Sequence, residues 1–540
     1  MAHLLVNTNR QIEIMRWISR YIWSKKGSRR VTMTTLLACF AMGSTAQTDL
    51  FYSMEMQGSL SQGRTPLWLN ANKHGLSSLE EANGYLRTAV ERPLSTDSIK
   101  RWGLGYGADI IAAMGYDSHF LVQQAYVEAR WLHGVLSVGS KEQPMELKNN
   151  RLSSGSQTLG INARPVPQVR LSMPQYWNVP GTNGWLHLKG HVAYGIATDN
   201  RWQKDFTNGE QPHTENVRYH TKAGYLKVGK EEYYYPLSFE AGLEMASLFG
   251  GKCHARSDDG SIITYEGEKG LMAYWHAFKP DGHDAGEETY QNVAGDLLGS
   301  WVARVNYDED TWRLSLYVDK FFEDHSAMFQ LDYDGYGSGE EWTEKKKNRY
   351  LIYNFKDMML GVELAFKYDY LVRHVLLEYI YTKYQSGPIY HDHTVNIPDH
   401  VGGDDNFYNH HLYRGWQHWG QVMGNPLFRS PAYNDDQTVM VKDNRFKALH
   451  FGIDGGSGPL DYRLMATCQE GVGTYQDPYH HSHHNVSAMA EASWHFTTGT
   501  LRGWSLKGAC AMDLGGILGN NYGVQMTIAR QGIFPQKSRK

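Results

Sequence analysis

Apolar and polar residues alternate along much of the chain with a period of two, the pattern of a strand with one face toward an apolar medium and the other toward a polar one. Trp312, Leu314, Leu316 and Val318 alternate with Arg313, Ser315, Tyr317 and Asp319. Leu360, Val362, Leu364 and Phe366 oppose Glu363 and Lys367, and Leu460, Tyr462, Leu464 and Ala466 oppose Asp461, Arg463 and Thr467. The same alternation runs through Val486 to Phe496, Trp504 to Leu514 and Tyr522 to Ile528. Such stretches are about 8–12 residues long, enough to cross a bilayer at the tilt of a barrel strand.

The links between them are sorted by length. Residues 308–311, 369–371 and 454–459 make short links, whereas 322–356, 470–484 and above all 385–445 make long ones. Tight turns on the periplasmic side and long loops outside are the arrangement of an outer-membrane barrel. Counting backwards gives seventeen strands from Leu86 to Phe534, and Leu50–Leu60 supplies the eighteenth that brings both ends to one side. Ile262–Tyr265 and Leu271–Phe278 are two further candidates, which would keep the number even. The expected fold is all-β: a transmembrane antiparallel β-barrel of about 18 strands, within a range of roughly 16 to 20, with a short N-terminal helical element.

Residues 64–86 break the alternation and read as a helical or plug-like segment, with Ser77-Ser78-Leu79-Glu80-Glu81 shaped like a capping box. Residues 1–46 read as a signal peptide: Lys25, Lys26, Arg29 and Arg30 precede the apolar run Val31 to Met42, and Ser44-Thr45-Ala46 offers a cleavage site before Gln47. Leu36-Leu37-Ala38-Cys39 is a rival lipoprotein box. The remainder, 47–540, reads as one barrel domain in which 385–445 is a long extracellular loop.

Composition narrows the class. Lys plus Arg number 53 against 57 Asp plus Glu, a net charge of −4, without the basic excess of a nucleic-acid binder. Mean hydropathy is −0.53, and past residue 46 no run is long and apolar enough for a membrane helix. The 35 Tyr, 16 Trp, 18 Phe and 55 Gly suit strands that are apolar on one face only. Beyond Cys39, Cys253, Cys468 and Cys510 form neither a disulfide framework nor a CxxC metal site, and the last two fall on apolar strand faces.

Two motifs carry a resemblance. Leu152-Ser153-Ser154-Gly155 followed by Asn162-Ala163-Arg164-Pro165-Val166-Pro167-Gln168-Val169-Arg170, together with Pro66-Leu67-Trp68-Leu69-Asn70 to Gly75 and the approach from Lys141-Glu142, resembles the capsule-assembly Wzi family over about residues 60–175. The resemblance implies an 18-stranded outer-membrane barrel with a helical element at the periplasmic side. It also implies a lectin, not an enzyme, that holds exported capsular polysaccharide at the cell surface. The loops, 385–445 above all, and the tail Pro535 to Lys540 depart from that pattern.

The residues point the same way. Pro165 and Pro167 lack N–H donors, so this run is not a central strand throughout. Arg164 and Arg170, with Gln168 between them, offer planar forks and an amide for a uronic-acid polymer, or pair with lumen carboxylates. Sugars stack on aromatic rings, and the candidate platforms are Trp202, Trp342, Tyr408, Tyr413, Trp416 and Trp419. The pairs His480-His481, His483-His484 and His410-His411, and His391-Asp392-His393, read as solvated loops; no metal, cofactor or catalytic residue is assigned. The expected partners are capsular or other acidic polysaccharide and outer-membrane lipid, no nucleic acid, and the chain is expected to be a monomer. The alternatives are a porin-like solute channel and, behind it, a surface glycan hydrolase whose paired carboxylates would leave no spacing signal.

Overall fold

The structure is a computed structural model that describes residues 50–230, 235–257, 259–279, 295–323, 334–336, 339–347, 356–368, 371–391 and 401–534. The export segment with Cys39, the residues Asp392 and His393, and the tail from Pro535 lie outside the described residues.

Eighteen strands form one antiparallel barrel. In chain order they are Phe51–Gln62, Ala82–Arg92, Trp102–Met114, Phe120–Trp131, Gly134–Ser140, Gln168–Asn178, Leu186–Ile196, Arg218–Val228, Leu237–Phe249 and Asp296–Asp308. Trp312–Glu323, Met358–Phe366, Val372–Tyr381, Phe446–Ser457, Leu460–Gly473, Pro478–His495, Trp504–Gly515 and Asn521–Ile533 complete the ring. The first strand pairs with the second and with the last, in register from Phe51↔Ile533 to Gln62↔Tyr522, so the sheet closes and leaves no edge.

The faces are inverted relative to a water-soluble protein. Val524 and Met526 point outward, 56% and 55% exposed, while their strand neighbours Gln525 and Thr527 are buried. Leu360 and Val362 face out and Glu363 in; Val486 faces out and Ser487 in; Leu316 faces out and Ser315 in. An apolar belt over a polar lumen is stable only where the surrounding medium is hydrocarbon. Cys468 and Cys510 sit on this outer face as free thiols, and Cys253 is buried.

The turns at the end that holds both Phe51 and Ile533 are short, for example 132–133, 309–311 and 458–459. Most links at the other end are long, but 115–119, 474–477 and 516–520 are short. The long link expected over 470–484 is instead ladder: Leu460–Gly473 and Pro478–His495 pair up to Gly473↔Pro478. His480, His481, His483 and His484 are therefore strand residues, not loop residues. Within 250–295, Ile262–Glu266 is a strand of a separate three-stranded sheet, and Leu271–Phe278 is a helix.

The long links 63–81, 141–167 and 405–445 fold into the lumen and build the apolar core there, with Trp68, Leu69, Leu152, Phe407, Tyr408, Trp416 and Phe428 among its buried members. The helix Leu67–Asn70 starts after Pro66 and is wholly buried: Leu67 N–H donates to Asp513 and the Trp68 indole to Thr467 Oγ1 at 3.2 Å. The Ser77–Glu81 run does not start a helix. Ser78 Oγ donates to the Gly115 carbonyl and accepts from Glu80 N–H, a turn that delivers the chain into the strand at Ala82. The residues 405–445, expected as an outward loop, are mostly plug.

Candidate functional site

The Leu152–Gly155 motif anchors the plug. Ser153 Oγ donates to Glu378 Oε1 at 2.6 Å, and Ser154 N–H and Oγ donate to Oε2 at 2.8 and 2.5 Å. From the wall, Tyr317 OH completes the shell on Oε1 at 2.5 Å. Gly155 follows at φ +136°, where a Cβ would lie 2.9 Å from Pro426 Cδ, so the residue must be glycine for 141–167 to seat against 405–445. Asn425 Nδ2 closes that seam on the Gly155 carbonyl at 2.9 Å, and Lys148 pairs with Asp319 at 2.7 Å, both fully buried.

Beyond this anchor lies a cavity of about 100 Å³ whose lining includes Lys141, Glu146, Arg164, Gln168, Arg170 and His191. Two features of the sequence build it. The prolines at 165 and 167 hold the approach irregular, so the strand begins only at Gln168. Period two then turns Gln168 and Arg170 inward while Val169 and Leu171 face out, 52% and 62% exposed.

The charges around the cavity are unevenly matched. Glu128 is held by Lys141 at 2.7 Å and Glu146 by Lys189 at 2.5 Å. Neither Arg164 nor Arg170 has an ion pair or side-chain hydrogen bond among the described residues. The Arg164 guanidinium lies 4.2 Å from the Trp419 ring centroid, and its Nε is buried without a partner. Burial pulls Arg164 down to about 10, so it stays charged at neutral pH. Gln168 Oε1 and His191 Nε2 are likewise buried and unpartnered. Around one cavity lie two guanidiniums that no carboxylate bonds directly, with Asp117 acting on Arg164 and Glu146 and Glu128 on Arg170 only from farther away, and two open hydrogen-bonding atoms; together they form a receptor for an anionic, hydroxyl-bearing group.

The three residues drawn from the second motif thus meet at one cavity, and Trp419 joins them through Arg164. Trp202 is near: it is buried, stacks on Phe206 at 4.6 Å, and its ring lies where a Cβ on Gly420 would fall. The other aromatic candidates are placed differently from the exposed platforms expected. Tyr408 is fully buried against Phe428 at 4.2 Å, with its hydroxyl on the Gln157 carbonyl. Tyr413 is buried and donates to the Gly250 carbonyl at 3.1 Å, and Trp416 is fully buried near Tyr219. These three rings hold the plug together, because an inward-folded link buries its large apolar side chains as any core does. Trp342 is exposed, on a short surface turn. Of the other histidines, His410 is half-buried, accepts the N–H groups of Leu412 and Tyr413, and is pushed down to about 3 by desolvation.

Asp443, in the plug at the end of the link 382–445, is pushed up to about 7 by burial. An acid raised in the folded state binds its proton more tightly there than in the unfolded chain, so its contribution to stability falls as pH rises from about 4 through 7. His410 and His418, the latter pushed down to about 4 by burial, act in the opposite direction over part of that window. The check is therefore a difference. Relative to Asp443→Asn, the native chain should lose hydrogen-exchange protection in 405–445 between pH 5 and 8, and parallel profiles would refute the assignment.

No protein-family model and no curated protein sequence matches the chain. The fold is shared with Wzi, an outer membrane protein involved in group 1 capsule assembly in Escherichia coli, described as a carbohydrate-binding β-barrel. The TM-score is 0.52 at 12% identity, over 95% of this chain and 91% of that one. OprD from Pseudomonas aeruginosa aligns at TM-score 0.43 and 9% identity, over 91% of this chain and 96% of its own. A BenF-like porin from Pseudomonas fluorescens Pf-5 aligns at 0.44 and 8%, over 90% and 99%.

Proposed function

We propose that this barrel sits in an outer membrane and binds an acidic polysaccharide, holding it at the cell surface as a lectin of capsule assembly. The observation that carries the reading is the pair of guanidiniums, Arg164 and Arg170, lining one lumen cavity with no carboxylate in ion-pair contact among the described residues, while Lys141 and Lys189 hold Glu128 and Glu146. A uronate carboxylate supplies the missing charge, and the open Gln168 and His191 atoms take sugar hydroxyls. At about 100 Å³ the cavity accepts a projecting acidic group and part of one ring, not a length of polymer. Further contacts along the chain then add through the repeats of the polymer. The fold match to a carbohydrate-binding barrel supports the proposal without identifying the sugar.

A second reading, a solute channel, is favoured by one feature. The plug is held by discrete polar anchors, which can release without disturbing the barrel ladder. Binding separates the two. In detergent, the protein should bind uronate-containing polymer more tightly than its carboxyl-reduced, neutral form, and Arg170→Ala should weaken the acidic polymer roughly tenfold or more, as the loss of one charge-assisted pair implies. Equal affinity for both polymers, with heat-modifiable mobility intact, would refute the acidic-glycan reading and leave the channel.

A further inference from the structure

The two long links flanking the strand pair Arg218–Val228 and Leu237–Phe249 meet in a small sheet of their own. His213–Glu215 pairs with Lys252–Arg256, which pairs in turn with Ile262–Glu266. Period two splits this sheet into two faces. Cys253 and Ala255 are buried, and the Tyr413 hydroxyl of the plug lies on the neighbouring Gly250 carbonyl. The opposite face carries His213 and Glu215 from one strand and, directly across the ladder, His254 and Lys252 from the next.

His213, Glu215 and His254 can each offer a donor atom such that all three lie within 4.8 Å of one another. The two imidazoles stack at 4.4 Å between centroids. Their outer contacts fix their chemistry. His213 Nδ1 lies 2.9 Å from the Gln211 carbonyl, which only accepts, so Nδ1 carries the proton and Nε2 keeps its lone pair. His254 Nδ1 bonds Thr264 Oγ1 at 2.9 Å. Both Nε2 atoms are buried and have no partner among the described residues. Lys204 occupies Glu215 Oε1 at 3.1 Å, which leaves the second carboxylate oxygen to the histidines' side. Imidazoles held at Nδ1 by carbonyl or hydroxyl, with bare Nε2 atoms beside a carboxylate, are the supporting shell and donor set of a metal site.

We propose that His213, Glu215 and His254 bind one divalent transition-metal ion of the zinc class, with water completing the shell. Two nitrogens and one carboxylate oxygen suit Zn2+ and offer too few oxygens for Ca2+ or Mg2+. A tetrahedral ion holds its donors about 3.4 Å apart, so binding draws the two rings and the carboxylate together by side-chain rotation. The ion would cross-link the link 197–217 to the link 250–295 on the side of the small sheet away from Cys253. In sequence the only trace is His213-Thr214-Glu215, one His-x-Glu on a strand; the third donor is 39 residues on and is paired with it only by the ladder.

The exposed histidines on Pro478–His495 would also take up zinc, so the test uses the full chain with His480, His481, His483 and His484 replaced by Ala. After chelator treatment, Zn2+ titration should show one ion per chain, and Co2+ in its place should give the visible absorption of a tetrahedral nitrogen–oxygen site. His254→Ala in that background should abolish the binding with heat-modifiable mobility unchanged. Glu215→Gln, which keeps the shape, should weaken it at least tenfold and serves if the alanine variant does not fold. Absence of stoichiometric Zn2+, or the same affinity in both variants, would overturn the proposal.

Discussion

Lys148→Met is expected to destabilise the folded barrel by about 3–5 kcal/mol, the range for removing one member of a buried ion pair. Lys148 and Asp319 are 1% and 0% exposed, and their bond of 2.7 Å joins the plug to the wall. The cost does not arise from losing an attraction that water would have matched. It arises because Asp319 then keeps its charge in the lumen with, among the described residues, only the Gln157 N–H, at 3.1 Å, to solvate one oxygen, while Glu244 and Glu378 stand nearby without the cation they share. Urea unfolding in detergent, followed by the shift in electrophoretic mobility, reads the effect. Lys148→Met with Asp319→Asn should recover most of the loss, because the stranded charge is gone. A single variant that unfolds at the native urea concentration would show that Asp319 is solvated by some other route.

The contrast between wall and plug explains what the chain discloses in its order of residues. Period two is a local property, so Val486 against Ser487 or Leu360 against Glu363 declares its two faces without knowledge of the neighbouring strands. Strand number and closure follow from such segments, and the eighteenth strand was readable at Leu50–Leu60 for the same reason. The plug is written differently. Tyr408, Tyr413 and Trp416 sit among His, Asn and Asp, which reads as an outward loop offering rings for sugars to stack on. Nothing local reveals that Tyr408 will meet Phe321 of the wall or that Asn425 will meet Gly155 some 270 positions away. The arginine cavity lies between these cases. Prolines at 165 and 167 and the inward phase of Gln168 and Arg170 are sequence features, whereas the lack of a carboxylate bonded to the arginines depends on Lys141 and Lys189 having claimed Glu128 and Glu146. The histidine tract at 480–484 shows the converse failure, since polar residues at a barrel rim extend a ladder as readily as they form a loop.

Glu378→Ala should release the plug while leaving the barrel assembled. The carboxylate accepts three hydrogen bonds from Ser153 and Ser154, all plug residues, and one from Tyr317 on the wall. Its own strand, Val372–Tyr381, is held by backbone ladders to both neighbours, which the substitution does not touch. Each bond to a buried carboxylate contributes roughly 1.5 kcal/mol, so the three plug contacts together hold the docked state by roughly 4.5 kcal/mol. Removing them raises the undocked population roughly a thousandfold. An 18-stranded ring is wide enough for an aqueous pore once its filling moves. In planar bilayers the native protein should therefore pass little current and Glu378→Ala should show frequent, long openings, while Glu378→Gln, which retains the acceptor oxygen, should fall between them. If the alanine variant stays as silent as the native protein, the Leu152–Gly155 anchor is not what closes the lumen, and the apolar core around Phe407, Phe428 and Trp416 is sufficient to hold the plug by itself.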